Sequence, residues 1–244
     1  MLFMLAEILG NAWHLYRKHF VLITAITLIV WGPLEFLSGY MDTYVFDPED
    51  MHRSFKFYQF LDNFFGIIAI GATVALVEAS TLGQQVTLGG SFSAGLQAWG
   101  RLWWSRFLSM LLIVLGLVAL ILPGIYLLVR LSQVETLAVC ESISGPTAMR
   151  RSFELTKGQF WPLFGLGMLF LLMVVLYFGV LLVPALLFPE YENWLLDAGI
   201  ALVSDVVFAY ATVAGYTTYN WLVGKQSSQL NQTSPPQWPA TGVQ

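Results

Sequence analysis

Apolar runs separated by short polar stretches set the pattern of this chain, and the stretch from Leu108 to Cys140 organises the rest. It holds two apolar runs joined at Pro123-Gly124, with Arg130 and Glu135 inside the second. Runs near the length of a bilayer crossing, roughly 20 residues for about 30 Å of hydrocarbon, recur along the chain. Phe20 to about Leu37 is a first span, which Gly32-Pro33 should kink or end, and Leu61–Leu82 is a second. Residues 107–122 and 125–141 read as two short spans turning at Pro123-Gly124, with one bent helix as the competing reading. Phe160–Phe188 and Trp194–Val223 complete six spans, with Pro184 expected to distort the first of this pair.

Between the spans the period changes. Leu5, Leu9, Ala12, Trp13, Tyr16 and Phe20 share one helical face, with Glu7, Asn11, His14 and Lys18 opposite. Such a helix is expected to lie in the membrane interface. Residues 83–104 repeat the pattern through Phe92, Leu96, Trp99 and Trp103, with Ser91 as the expected N-cap. Residues 142–159 repeat it again, with Ser142 or Ser144 as cap, Pro146 in the first turn and Met149, Phe153, Thr156 and Phe160 on the apolar face. Residues 38–60 read as an acidic connection carrying Asp42, Asp47, Glu49 and Asp50. The second span carries Gly71, Ala75 and Ala79 at four-residue spacing, a stripe that lets another helix approach closely, as do Ala211 and Gly215 in the last. From Lys225 the composition turns to Gln, Ser, Pro and Asn, predicting a disordered tail. The domains expected are therefore a membrane domain over 1–224 and a tail over 225–244.

Composition agrees with a lipid solvent. Of 244 residues 57% are hydrophobic and 11% charged, against roughly a quarter charged in soluble domains, and mean hydropathy is +0.69. The formal charge of −4 does not point to nucleic acid. One cysteine, Cys140, excludes an internal disulfide and leaves the redox compartment open. His14, His19 and His52 are too scattered for a metal site. The first basic residues, Arg17 and Lys18, follow the opening apolar residues, the reverse of a cleaved signal peptide, so none is expected.

Charge also orients the spans. Six crossings put both termini on one side, together with Arg17, Lys18, Arg101, Arg106, Arg150, Arg151, Lys157 and Lys225, and leave Arg53 and Lys56 opposite. The positive-inside rule makes the first side cytoplasmic. A single span over 107–141 would send Arg150, Arg151 and Lys157 outside, so the hairpin is preferred. The fold class expected is an all-α, polytopic membrane helix bundle of six transmembrane helices with three cytoplasmic interfacial amphipathic helices. Amphipathic segment, span, turn and span occur three times, and residues 12–20 can be laid on 152–160, residues 102–107 more loosely. A threefold internal repeat and convergence on interfacial chemistry both account for this.

The run Pro123-Gly124-Ile125-Tyr126 through Arg130, with Glu141, Gly145-Pro146, Ala148, Arg150-Arg151-Ser152, Leu155-Thr156-Lys157-Gly158 and Phe160-Trp161, resembles a family hallmark. It is similar to the membrane domain fused to some bacterial glycerophosphoryl diester phosphodiesterases and to related stand-alone multi-pass proteins. Residues 8–20 fit the same pattern. The resemblance spans most of 1–224, with its specific part in 123–161. It implies a bacterial inner-membrane fold and carries over no hydrolase activity, because catalysis in fused members belongs to a soluble barrel absent from this chain.

Charges inside spans are costly and mark candidate sites. Here they are Glu78, Arg130, Glu135 and Asp205, with Glu35 at a boundary. Arg130 and Glu135, five residues apart, lie close to one side of a helix without being ideal partners, and Arg130 could instead pair with Asp205 or Glu78 on a neighbouring helix. Such pairs fix packing in one reading and line a path for a proton, ion or lipid headgroup in another. No paired His/carboxylate metal spacing, phosphate-cradling glycine loop or nucleophile elbow occurs, so neither catalytic, metal nor cofactor-binding residues are expected. Gly165-Leu166-Gly167 reads as a packing or bending site, Cys140 as an apolar filler, and Trp99, Trp103, Trp104 and Trp161 as interfacial anchors. The function expected is that of a non-enzymatic membrane protein acting through helix and lipid contacts, as scaffold, assembly partner or factor in envelope or lipid homeostasis. A small transporter or lipid-handling protein is the alternative. Membrane lipids and other membrane proteins are the expected partners.

Overall fold

The computed structural model describes residues 2–47, 51–187 and 193–233. Among them the regular structure is entirely helical, and six helical stretches are long and apolar enough to cross a membrane. The helices are α1 (Leu2–Lys18), α2 (Phe20–Tyr44), α3 (Met51–Leu61), a π-helical turn (Asp62–Gly66), α4 (Ile67–Thr81), α5 (Leu88–Ala119), α6 (Ile121–Arg130), α7 (Val134–Cys140), α8 (Gly145–Leu155), α9 (Phe160–Leu187) and α10 (Trp194–Thr233).

The main core lies between α2, α4 and α10, where Ile23, Ile26, Val74, Leu76, Val77 and Val213 are all but inaccessible. Outward faces stay apolar: Val118, Leu122, Trp161 and Val180 are 70% exposed or more, a surface suited to hydrocarbon rather than water. Burial of one apolar side chain on another gains little in lipid, so close packing has to hold such a bundle. The glycines provide it. A Cβ on Gly95 of α5 would stand 2.7 Å from the amide nitrogen of Ala72 in α4, and one on Gly71 would stand 2.9 Å from Leu102 Cδ1. The expected stripe on α4 therefore meets α5, through Gly71 and its neighbour Ala72.

Several boundaries differ from the pattern-based expectation. Helix α2 continues through Pro33 to Tyr44, and α3 begins at Met51. Thus much of the expected acidic connection is helical, while residues 48–50 lie outside the described residues. Thr87, extended at φ −129°, caps α5 by accepting the Gly90 amide at 3.1 Å. Ser91, the expected cap, lies inside that helix and donates to Thr87 O at 2.9 Å. The turn before α6 falls at Leu120, extended at φ −163° and ψ 142°, and not at Pro123-Gly124. Pro123 fits the first turn of α6, where amides have no intrahelical acceptor. Gly124 lets α6 cross α5: a Cβ there would lie 2.7 Å from Leu117 N, and one on the facing Gly116 would lie 3.1 Å from Gly124 Cα.

The segment 131–133 is a turn that separates α6 from α7, a break with no expectation behind it. Helix α10 runs on to Thr233, so the part of the tail up to that residue is helical where disorder was expected. Residues 234–244, and the acidic turn at 189–192, lie outside the described residues.

Of the three amphipathic segments, α1 and α8 are separate helices, whereas 88–104 is continuous with the following span as α5. Protein covers most of the apolar faces of α1 and α8, while Trp13 and, just past the end of α1, Phe20 stay about half exposed. Met4, Leu5 and Ile8 pack with Leu166 and Trp221. Tyr16 Oη donates to Val206 O at 2.7 Å, Tyr210 Oη to Leu9 O at 3.1 Å and Thr217 Oγ1 to Ile8 O at 3.3 Å. Ala148 and Met149 of α8 pack on Leu131 and Val134. The α8 N-terminus takes its cap from another helix: Gly145, left-handed at φ 55°, donates its amide to Ser105 Oγ at 2.8 Å.

Candidate functional site

Arg130 ends α6 and is 8% exposed. Its Nη2 donates to Phe153 O of α8 at 2.5 Å, and its guanidinium lies over the Tyr126 and Phe153 rings at 5.8 and 5.1 Å. Its carbonyl accepts from Ser152 Oγ at 2.7 Å and Thr156 Oγ1 at 3.3 Å. Arg130 does not form the expected ion pair with Glu135, Glu78 or Asp205. The turn at 131–133 explains the first of these: it interrupts the helical register that would bring residues 130 and 135 together. The side chain instead clamps α8 to α6, with Nε buried and unpartnered.

Glu135 meets Arg106 of α5, Oε1 to Nε at 3.7 Å, and Arg106 Nη2 lies 3.6 Å from Asp62 Oδ2 on the π-helical turn. Arg106, expected in the cytoplasmic belt, thus faces two carboxylates between helices. Asp205 of α10 and Glu35 of α2 extend the acidic group. Glu35 is 7% exposed and accepts from Tyr58 Oη at 3.4 Å. Asp205 lies within electrostatic reach of Glu35, Asp62 and Tyr58, with Oδ2 buried and unpartnered. Glu78 stands apart, its carboxylate within hydrogen-bonding reach of the Cys140 thiol. The four candidate residues therefore fall into three separate constellations, and among the described residues Asp205 and Glu135 are linked through Asp62 and Arg106.

Asp62, Arg106 and Tyr58 carry this arrangement and were not among the sequence candidates. Asp62 was readable as a charge at the start of the second span. Arg106 was hidden because α5 passes from amphipathic to apolar with no break. The π turn positions both ends of the group. It holds Asp62 toward Arg106, and its wider coil leaves the Phe64 carbonyl to accept the Trp99 indole N–H at 2.6 Å. Gly66 is required beneath Trp31, since a Cβ there would come within 2.6 Å of the ring. Trp99, expected as an interfacial anchor, is thus a partly buried strut between α5 and this turn, whereas Trp161 at 70% exposure faces outward.

Other polar contacts tie helix ends. Arg151 Nε meets Glu141 Oε2 at 3.1 Å, and Tyr219 Oη donates to Glu141 Oε1 at 3.3 Å. Lys225 Nζ donates to Gln159 Oε1 at 2.9 Å, and Thr81 and Tyr216 hydroxyls bond each other. His19 Nε2 bonds Ser80 Oγ at 2.7 Å. Burial lowers the imidazole below the usual histidine range, and the neighbouring Lys18 charge lowers it further. Burial also raises the Tyr16 phenol above its ordinary value. Among the described residues no three His, Cys, Asp or Glu side chains are placed to hold a metal ion.

This arrangement is that of an all-α helical bundle with apolar spans and buried polar contacts between them. Comparison with family models, curated proteins and solved structures returns no match to this chain.

Proposed function

We propose that this chain is a non-enzymatic multi-pass protein of the bacterial inner membrane, with both termini cytoplasmic, acting through helix and lipid contacts as a scaffold or assembly partner or in envelope or lipid homeostasis. The observation that carries this reading is the use of Arg130. The most buried arginine spends its contacts on a backbone carbonyl and two aromatic faces of its own fold, which supports a packing role. Cytoplasmic termini are supported by the excess of basic residues on one set of connections. The resemblance to phosphodiesterase membrane domains fits the same reading, as a likeness to a membrane fold.

Co-purification from native membranes in mild detergent tests it. Recovery of stoichiometric lipid or a membrane-protein partner is expected. A monodisperse protein stripped of both, and unchanged when lipid is added back, would contradict it.

A small transporter or lipid-handling protein is the second reading, favoured by Asp205 Oδ2, a buried unpartnered oxygen within electrostatic reach of Glu35 and Asp62. Under it, Asp205→Asn protein in sealed vesicles loses proton or cation flux that the unmodified protein supports. Absence of flux in the unmodified protein under imposed proton and cation gradients removes it.

A further inference from the structure

A crevice of about 510 Å³ lies between α6, the 131–133 turn, α9 and α10. Its floor is closed, with Val129, Gln133, Leu163 and Ala214 at 6% exposure or less. Its rim is open, since Leu128, Met168 and Leu171 are about half exposed on the outer surface of the bundle. The opening therefore faces sideways, into the hydrocarbon of a membrane that this helix set spans.

Small-residue positions make the space. Ala211 and Gly215 of α10, expected to bring a helix close, line the crevice instead. A Cβ on Gly167 would meet nothing within 4 Å, and one on Gly215 only Thr136 Oγ1 at 3.9 Å.

One polar group interrupts the apolar lining. Gln133 is 3% exposed and lines the crevice. Its Nε2 makes a long 3.4 Å contact to Ser132 Oγ, and its Oε1 is buried with no partner. An unpaired amide in hydrocarbon is costly, and a hydroxyl satisfies an amide oxygen or an amide nitrogen equally well. The volume lies in the usual range of small-ligand pockets, ~300–1,000 Å³. A transmembrane helix of a partner, about 10–12 Å across with its side chains, is too large for it.

We propose that this crevice binds a hydroxyl-bearing lipid of the diacylglycerol class from the surrounding bilayer, with one acyl chain along α9 and the free hydroxyl on the Gln133 amide. The inference rests on the membrane-embedded, lipid-contacting reading above and assigns that reading a lipid class and a site.

The test uses the full chain in phosphatidylcholine vesicles doped with diacylglycerol carrying a diazirine in one acyl chain, and labelled peptides are located by mass spectrometry. Labelling is expected to concentrate on the crevice walls of α9 and α10. It should exceed that by phosphatidylcholine with the same diazirine chain, which has no free hydroxyl. Gly167→Leu and Gly215→Leu fill the space from opposite walls and should reduce crevice labelling to that of the general outer surface. Gly179→Leu, on α9 outside the crevice with open space around its Cβ, should leave labelling unchanged. Gln133→Leu should remove the preference for diacylglycerol, a change of about threefold to tenfold for one hydrogen bond, while keeping chain labelling.

Even labelling around the bundle, or labelling indifferent to both filling variants, overturns the site. Equal labelling by the two lipids, or a preference that survives Gln133→Leu, overturns the hydroxyl assignment. Cross-links between two copies across the crevice would replace the lipid with a protein occupant and overturn the proposal. Each of these results leaves the co-purification test of the broader reading standing on its own.

Discussion

At the scale of single residues, the placement of Arg130 gives a sharp expectation. Its hydrogen bond to Phe153 O involves a charged donor, a class worth about 1.5–3 kcal/mol, so Arg130→Gln should destabilise the bundle by roughly that amount. Glu135 faces Arg106 instead. The double variant Arg130→Gln/Glu135→Gln should therefore be additive to within about 0.5 kcal/mol, whereas Arg106→Gln/Glu135→Gln should show coupling. Thermal unfolding of the three single and two double variants in one detergent measures both. His19 supplies a pH dependence with a definite sign. Its folded-state affinity for protons is depressed by burial and by Lys18, so its contribution to stability is complete above the usual histidine range and is lost as pH falls through and below it. The unfolding midpoint should drop between pH 7.5 and pH 5, and His19→Gln should remove that part of the drop. Residue identities announced the charges within spans, Glu78, Arg130, Glu135 and Asp205, but not their partners. Spacing along one helix cannot foresee a turn at 131–133 or a neighbour supplied by a different helix.

At the scale of elements, the apolar runs located all six spans, while their ends were read less well. Pro123-Gly124 looked like a turn because both residues break helices in water. Here proline occupies a first helical turn, and glycine serves the crossing of α5 and α6. Gly124→Leu should cost about 1–3 kcal/mol by overpacking, and Gly167→Leu should be tolerated. The difference in unfolding midpoint between these two variants distinguishes a crossing glycine from an open one. The merging of residues 88–104 into α5 was equally hard to foresee. Thr87 caps that helix early, and nothing between there and Ala119 forbids helix. Pro33 likewise failed to end α2. Loss of one intrahelical hydrogen bond is tolerated in spans where the rest of the ladder must stay closed away from water.

For the whole molecule, the fold class was legible almost entirely from hydropathy, because the demand that backbone groups be satisfied in lipid leaves helices as the economical answer for such runs. The orientation proposed from charge is open to direct measurement. With Cys140→Ala as background, a membrane-impermeant maleimide applied to intact cells should label His52→Cys and should not label Arg150→Cys until the cells are opened. The reverse pattern would invert the topology. The proposed threefold repeat meets a clear difference among its units. Residues 19 and 156–159 interrupt the path from α1 to α2 and from α8 to α9, while the middle unit has a single helix there. Any shared ancestry would have to accommodate that continuous joint.

The π-helical turn at Asp62–Gly66 constrains how this chain tolerates insertions and deletions. One residue more than an α-helix needs is accommodated there. Excising Phe65 should therefore let the ladder close in ordinary register and keep everything upstream facing as it does now, whereas taking one residue out of an α-helical stretch without such a bulge rotates everything upstream by about 100° around the axis. Tyr58 should then keep its side toward Glu35, and the change would fall on the turn itself, where Asp62 meets Arg106 and the Phe64 carbonyl meets Trp99. A protein shortened at this turn should still insert with its faces matched, having lost only the local fit of one joint.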